Sequence, residues 1–180
     1  MPKKIVITGG PGSGKTVLIN HLQDLGFNCM HEISRSITIE AQRKGVEQLF
    51  LKDPLLFSEK LLEGRLQQFK ASLKRDGSHL FFDRGLPDVT AYLDYKQADY
   101  PVHFDETCSL HRYDLVFLLP PWEDIYEQDN ERYETFEEAK QIYRFLVGGY
   151  QKYRYEIDEV PSASIESRTD YILKKLMIER

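Results

Sequence analysis

The 180-residue sequence contains only two cysteines, Cys29 and Cys108, which lie far apart and form no C-x-x-C pair. Two isolated cysteines exclude a disulfide framework, and their spacing to the five histidines is not that of a zinc site. The sequence also has no run of about 18 apolar residues. The apolar run after Lys3-Lys4 is too short for a signal peptide. These features predict a cytoplasmic protein that does not enter a membrane.

Positive charge is also scarce. The chain has 24 Lys and Arg residues against 29 Asp and Glu residues, which gives a net charge of -5 and a pI near 5.6. Such a balance disfavours binding to a nucleic-acid backbone or an anionic membrane. The length and the 41% hydrophobic content suit one globular domain. We therefore expect a single domain over residues 1–180, a monomer or homodimer, with small-molecule ligands.

Short apolar runs alternate with patterns of helical period along the chain. Strands are predicted at residues 3–8, 27–30, 79–82, 115–119 and 156–160, with helices at about 16–25, 33–51, 54–73, 87–95, 135–153 and 168–178. Residues 97–111 show no clear period and are predicted to be irregular, and Gly148-Gly149 is expected to bend or weaken the helix around it. Because parallel strands need crossovers, the alternation predicts a three-layer α/β fold, a parallel sheet covered by helices on both faces.

A glycine-rich segment follows the first predicted strand. Its sequence, Gly9-Gly10-Pro11-Gly12-Ser13-Gly14-Lys15-Thr16, matches the P-loop pattern G-x-x-x-x-G-K-[ST]. In this pattern backbone N–H groups turn toward phosphates, the lysine reaches the β- and γ-phosphates, and the hydroxyl binds Mg²⁺. An ordinary glycine-rich turn would lack the preceding strand and following helix. We therefore predict that Gly10, Gly12, Ser13, Gly14, Lys15 and Thr16 bind ATP and Mg²⁺.

Acidic residues stand at the ends of two further predicted strands, where ligands of open α/β sheets bind. Asp83 could hold Mg²⁺ together with Thr16, directly or through water; the alternative is that it caps the next turn or pairs with Arg84. Glu32 could orient an acceptor hydroxyl, with Arg35 facing the same site. A surface pair of Glu32 and Arg35 would account for the same residues.

Two arginines are candidates for stabilising charge on a transferring phosphoryl group, Arg84 and Arg132. Arg132 lies in a polar segment between the fourth strand and a capped helix, where residues of about 123–135 could form a lid. A solvated loop is the alternative for that segment. The predicted catalytic residues are thus Lys15, Asp83, Glu32, Arg84 and Arg132, and the predicted acceptor contacts are Glu32, Arg35 and Arg84.

Taken together, these motifs resemble the AAA_28 or NadR-like family of P-loop ATPases and kinases, near the nicotinamide riboside and deoxynucleoside kinases. The resemblance runs nearly end to end and rests on residues 9–16, 32–35, 82–85 with Asp88 and Tyr92, 113–120, 122–126, 129–134 and 160–161. It implies strand order 2-3-1-4-5, with Asp83 beside the P-loop. It also implies that Arg132 lies in a lid and that the loop around Pro161 lies near the adenine.

Three functions fit these residues. The favoured one is a P-loop kinase that transfers the γ-phosphoryl group of ATP to a small hydroxyl acceptor, nucleoside-like or ribosyl-like. A nucleotide-dependent regulatory ATPase that acts on a partner protein would use the same loop. A polynucleotide kinase is disfavoured by the low pI, although gripping a single strand end needs little positive charge.

Overall fold

The computed structural model describes residues 1–43, 45–46, 49–126 and 134–178. Within them the strands are β1 (Lys3–Gly9), β2 (Asn28–Met30), β3 (His79–Asp83), β4 (Leu115–Leu119) and β5 (Asp158–Glu159). The α-helices are α1 (Lys15–Asp24), α2 (Ser34–Arg43), α3 (Leu49–Lys52), α4 (Pro54–Ser72), α5 (Pro87–Tyr95), α6 (His103–Leu110), α7 (Phe136–Lys152) and α8 (Ile165–Lys175). A short 3-10 helix spans Glu123–Ile125.

The five strands form one parallel sheet in the order β2-β3-β1-β4-β5. This confirms the predicted α/β class and the strand order that the resemblance implied. Ile7 pairs with Asp83 of β3, and Gly9 pairs with Leu119 of β4. The carboxyl ends of β1, β3 and β4 therefore meet at one edge of the sheet, which brings Asp83 next to the strand that leads into the glycine-rich loop.

Alternate side chains of the central strands pack on opposite faces of the sheet. Ile5, Ile7, Phe81 and Phe117 contact the buried faces of α1 and α8, whereas Val6, Leu80, Phe82 and Val116 pack among residues of α4, α5 and α6. Both faces are covered, as expected for strands that read as continuous apolar runs. No helix within the described residues is long and apolar enough to cross a membrane.

The single helix predicted over residues 33–51 is wrong, because the structure has α2 and α3 there instead. Gly45 adopts the left-handed conformation, with φ of 79°. Its N–H donates to Gln42 O, and the N–H of Val46 donates to Ala41 O, each at 2.9 Å. These two bonds form a Schellman motif, which ends a helix at a glycine. The apolar pattern of the sequence continues past Gly45, although α2 ends before it.

The irregular structure predicted for residues 97–111 is also wrong, since α6 occupies much of that segment. Helix α6 is only eight residues long, and Phe104 and Cys108 are its buried residues. Two apolar positions four residues apart are too few to reveal a helical period in the sequence.

The last strand and helix differ from prediction at their ends. Strand β5 covers only Asp158–Glu159, and α8 begins at Ile165, where Ser164 caps it by accepting from the N–H of Ser167. Helix α7 continues through Gly148 and Gly149 to Lys152, so the two glycines do not end it. A Cβ at Gly149 would lie 2.7 Å from Ala91 Cβ, so the glycine allows α5 and α7 to approach closely.

Candidate active site

The glycine-rich loop connects β1 to α1 and is held closed by its own polar groups. The Ser13 hydroxyl and the Lys15 ammonium each donate to Gly10 O at 2.9 Å. Gly12 and Gly14 have φ of 71° and 81°, values that residues with a side chain rarely adopt. A Cβ at Gly12 would also lie 2.5 Å from the ring of Tyr126. The loop therefore requires glycine at both positions.

The N-terminus of α1 has features that suit an anion. Its N-cap residue, Gly14, has no side chain to cap the first turn, and that turn contains no acidic residue. Free N–H groups and the positive end of the helix dipole favour a phosphate there. The pKa of Lys15 is lowered from 10.5 to about 7, mainly by burial and also by the positive charge of Arg84. The negative charges of Asp83 and Glu32 oppose this decrease. Bound phosphate would supply the negative charge that favours the protonated ammonium.

Helix α8 reaches the same loop through Arg168. Its Nη1 donates to Ser13 O at 3.0 Å, and its guanidinium lies 4.7 Å from the centre of the Trp122 ring. Arg168 is buried, and its Nε has no hydrogen-bond partner within the described part of the chain. A cation and an aromatic ring thus meet directly behind the loop.

Asp83, at the end of β3, has the features of a cation ligand. Its Oδ1 is buried and, as far as residues 1–43, 45–46, 49–126 and 134–178 show, has no hydrogen-bond partner. Burial raises the pKa of Asp83, with Lys15 and Arg84 opposing that rise. The described residues contain no group of three or more His, Cys, Asp or Glu that could hold a metal. Mg²⁺ in phosphate-transferring proteins needs only one or two carboxylates besides phosphates, so Asp83 and the exposed Thr16 fit it.

Glu32 follows β2 and lies between two arginines. Arg84 Nε is 2.6 Å from Glu32 Oε2, and Arg65 Nη2 is 3.2 Å from Oε1. The N–H groups of Ile33 and Ser34 donate to Oε1 as well. Burial alone would raise the pKa of Glu32, but the two arginines and the Ser34 N–H outweigh it and lower the pKa to about 2. The carboxylate is therefore ionised at any physiological pH.

Asp88, in the first turn of α5, fixes Arg84 from the other side. Its Oδ1 accepts from the Thr8 hydroxyl at 2.5 Å and from Arg84 Nη1 at 3.2 Å. Its Oδ2 accepts from the Gly85 N–H at 2.8 Å and from the Tyr150 hydroxyl at 2.5 Å. Arg84 itself has φ of 73°, and its Nη1 also donates to Gly9 O at 3.2 Å. The surrounding contacts hold Arg84 in a left-handed backbone conformation that is uncommon for a residue with a bulky side chain.

A cavity of roughly 870 Å³ opens between α2, α4, α5 and α7. Its polar end contains Pro11 of the loop together with Glu32, Arg65, Arg84 and Asp88. The apolar walls include Phe57, Leu61, Val89, Tyr92, Ile142 and Leu146. The volume falls in the range of about 300 to 1,000 Å³ that is typical of small-molecule sites. A ligand in this cavity would have its polar end beside the glycine-rich loop.

The structure brings most of the predicted site residues together. Lys15 and Asp83 interact electrostatically at the sheet edge, and Glu32, Arg35 and Arg84 all line the cavity. Arg132 and residues 127–133 of the predicted lid lie outside the described residues. The role of each of these residues remains a prediction.

Sequence reasoning missed Arg65 and Arg168 and gave Asp88 no part in the site. Arg65 lies on α4, which the sequence presents as an ordinary amphipathic helix. One signal was available, since Arg65 lies three residues after Leu62 and four before Phe69, on the stripe that should be apolar. A charged residue at such a position is rarely buried without a partner.

Comparisons with known proteins agree with this architecture. Deoxyadenosine kinase from M. mycoides, solved with dCMP and a flexible dCDP bound, superposes with a TM-score of 0.69 at 18% identity, covering 97% of this chain and 98% of that chain. The NadR protein in complex with NR gives a TM-score of 0.74 at 16% identity, covering 99% of this chain but 53% of that chain. At such identities the likeness shows a shared fold.

A comparison with curated protein sequences finds no match. The model of the AAA_28 family, described as an AAA domain, matches residues 4–168, which span nearly all of the glycine-rich loop, the sheet and the cavity. The chain therefore belongs to the AAA_28 family.

Proposed function

We propose that the protein is an ATP-dependent phosphotransferase that moves the γ-phosphoryl group of ATP to a hydroxyl group of a small, nucleoside-like acceptor. The observation that carries this proposal is the shared position of two sites. The glycine-rich loop and the polar end of the cavity meet at Pro11 and Arg84, since Arg84 donates to Gly9 O and lines the cavity. A pure ATPase would need the loop but not a ligand-sized cavity beside it.

On this proposal the loop and Lys15 bind the β- and γ-phosphates of ATP. The N–H groups at the start of α1 face the phosphates, and Lys15 exchanges its hydrogen bond to Gly10 O for one to a phosphate oxygen. Thr16 and Asp83 would hold Mg²⁺, which supplies charge neutralisation at the phosphates when it is bound.

The acceptor would lie in the cavity with its hydroxyl toward Glu32. The acceptor oxygen forms a bond to the γ-phosphorus while the bond between that phosphorus and the bridging oxygen of ADP breaks. Glu32 accepts a hydrogen bond from the attacking hydroxyl and orients it, and the hydroxyl proton passes to the Glu32 carboxylate as the new phosphate ester forms. Arg84 stabilises the charge that spreads over the transferring oxygens, and Arg35 contacts the acceptor at the exposed side of the cavity.

Two kinds of support favour a nucleoside-like acceptor. The cavity combines an ionic end with a wall that contains the aromatic side chains of Phe57 and Tyr92, which suits a flat ring joined to a hydroxyl-bearing sugar. The deoxyadenosine kinase with the same fold was solved with dCTP and with dATP bound.

The test is an acceptor screen on the purified protein with ATP and Mg²⁺. ADP release would be followed alone and with a pooled library of nucleosides, nicotinamide riboside and sugars, while mass spectrometry detects any compound that gains a phosphoryl group. Asp83→Asn serves as the inactive control. One phosphorylated acceptor would support the kinase and identify its substrate. ADP release that no acceptor raises above the rate with ATP alone would reject it and favour the regulatory ATPase.

A further inference from the structure

Glu32 is shared by two arginines that differ in their freedom to move. The Arg84 side chain is 24% exposed and lines the cavity, whereas the Arg65 side chain is 4% exposed. Arg65 is also tied to the backbone, because its Nη1 donates to Gly85 O at 3.0 Å. Of the two, Arg84 is the more exposed and can direct its Nε–H at a ligand while its Nη1 stays bonded to Gly9 O and Asp88 Oδ1, whereas Arg65 cannot leave without breaking buried contacts.

The Nε–H of Arg84 cannot donate to Glu32 and to a phosphoryl group at the same time. Its Nε is 2.6 Å from Glu32 Oε2, so this N–H points at the carboxylate. A guanidinium that stabilises a transferring phosphoryl group must direct its N–H groups at the phosphate oxygens. When Arg84 makes that change, Glu32 would be a half-buried carboxylate that has lost its shortest ion pair.

The two oxygens of Glu32 are held very differently. Oε1 accepts from the N–H groups of Ile33 and Ser34 at 3.0 and 3.2 Å, and from Arg65 at 3.2 Å. Oε2 has Arg84 at 2.6 Å and only a longer contact of 3.4 Å to Arg65. Departure of Arg84 would therefore leave Oε1 anchored and release Oε2 toward the cavity, where an acceptor hydroxyl could donate to it.

We propose that Arg65 is a positioning residue, the permanent counter-ion that keeps Glu32 ionised and oriented while Arg84 engages the transferring phosphoryl group. This inference rests on the proposed function, because it assigns the two arginines to successive needs of one reaction. Arg84 contacts the reacting atoms, whereas Arg65 acts only through Glu32.

The first experiment measures this support without any substrate. Arg84→Met imitates the departure of Arg84, and the pKa of Glu32 is followed by ¹³C NMR of the glutamate carboxyl carbons, with the signal assigned by its loss in Glu32→Gln. Lys15, Asp83 and Asp88 also carry charge near this carboxylate, but they are the same in every variant. We expect the pKa of Glu32 to stay below its ordinary value in Arg84→Met and to rise to or above it in Arg65→Met/Arg84→Met.

An ordinary pKa for Glu32 in Arg84→Met alone would overturn the proposal, because Arg65 would then be unable to support the carboxylate unaided. A pKa that remains low in the double variant would overturn it as well. Arg65→Lys provides a second test that preserves the buried charge. Combined with Arg84→Met, it should keep the pKa of Glu32 below ordinary, closer to the single variant than to the double methionine variant.

The second experiment is kinetic and uses the acceptor found in the screen. Arg65→Met should lower kcat by about tenfold to a hundredfold, as expected when the group that orients a nucleophile is lost, with the KM for ATP unchanged. Arg65→Lys should recover part of the loss. Lys70→Met removes one positive charge from the exposed side of the same helix and should leave kcat as in the wild type.

The two experiments separate the inference from the proposed function. Absence of transfer by the wild-type protein would reject the function, while the NMR titration would still show whether Arg65 holds Glu32. Transfer by the wild type with an equal kcat in Arg65→Met would reject the inference and leave the function standing.

Discussion

Replacing Asp88 by asparagine should cost a predictable amount of stability, because its four hydrogen-bond partners among the described residues are all donors. The side chain is 4% exposed, so water cannot replace a lost partner. In Asp88→Asn one carboxylate oxygen becomes an NH₂ group, which can donate but cannot accept. The position of that NH₂ group decides which partner is lost.

If the amide nitrogen replaces Oδ1, the Thr8 hydroxyl can turn and accept from it, but Arg84 loses this partner. If it replaces Oδ2, the Tyr150 hydroxyl can accept, but the buried N–H of Gly85 is orphaned. The first orientation should win, because Arg84 keeps Gly9 O and Glu32 as partners. One hydrogen bond to a charged group is then lost, so the free energy of unfolding should fall by about 2 kcal/mol.

Urea unfolding at neutral pH measures this difference from the midpoint, provided that the m-value is unchanged. Asp88→Ala leaves all four donors without this partner and should cost about twice as much, roughly 4 kcal/mol. Tyr150→Phe removes one hydroxyl donor and should cost about 1 kcal/mol. A change below about 0.5 kcal/mol in Asp88→Asn, the scale of an ordinary surface substitution, would refute the reasoning.

Three further predictions concern the loop, the carboxylate and the helix pair. Lys15→Ala should abolish ATP binding in calorimetry, whereas Asp83→Asn should bind ATP and lose at least about a hundredfold in turnover; normal turnover by both would show that the site lies elsewhere. Because the folded pKa of Glu32 is lowered to about 2, its ion pairs should stabilise the fold above pH 4.5 and lose that effect as the pH falls toward 2, so the stability gap between wild type and Glu32→Gln should narrow over that range in urea titrations. Gly149→Val should destabilise the fold by about 1 to 3 kcal/mol through overpacking, while Gly148→Ala, which meets open space, should not; equal effects would contradict the close helix approach.

The sequence was most informative where its signals are local. The glycine-rich loop needs eight consecutive residues, and the strand before it and the helix after it can be read from the same short window. The three strands that carry the buried core, β1, β3 and β4, are likewise largely continuous apolar runs, so their alternation with helical patterns predicted the class of fold. Asp83 could be selected because it ends one of these runs, and Glu32 because it follows the predicted second strand.

The partners of these acidic residues could not be predicted in the same way. Arg65 is separated from Glu32 by 33 residues, and Asp88 meets Thr8 across 80 residues. Such long-range contacts leave no periodic pattern in the sequence, because they form only when β1, β3, α4 and α5 have packed together. The end of α2 at Gly45 and the short helix α6 are local features, but their sequence signals are weak. The first depends on a single glycine, and the second on two buried apolar residues.

The contact between Arg168 and Ser13 has a consequence for the order in which the protein becomes competent. The loop occupies the first tenth of the chain, yet the guanidinium that holds its Ser13 carbonyl is made 155 residues later. During synthesis the loop therefore emerges from the ribosome long before the helix that braces it. A chain that ends before α8 lacks this donor to Ser13 O, so we expect it to bind a nucleotide less tightly than a chain that contains α8.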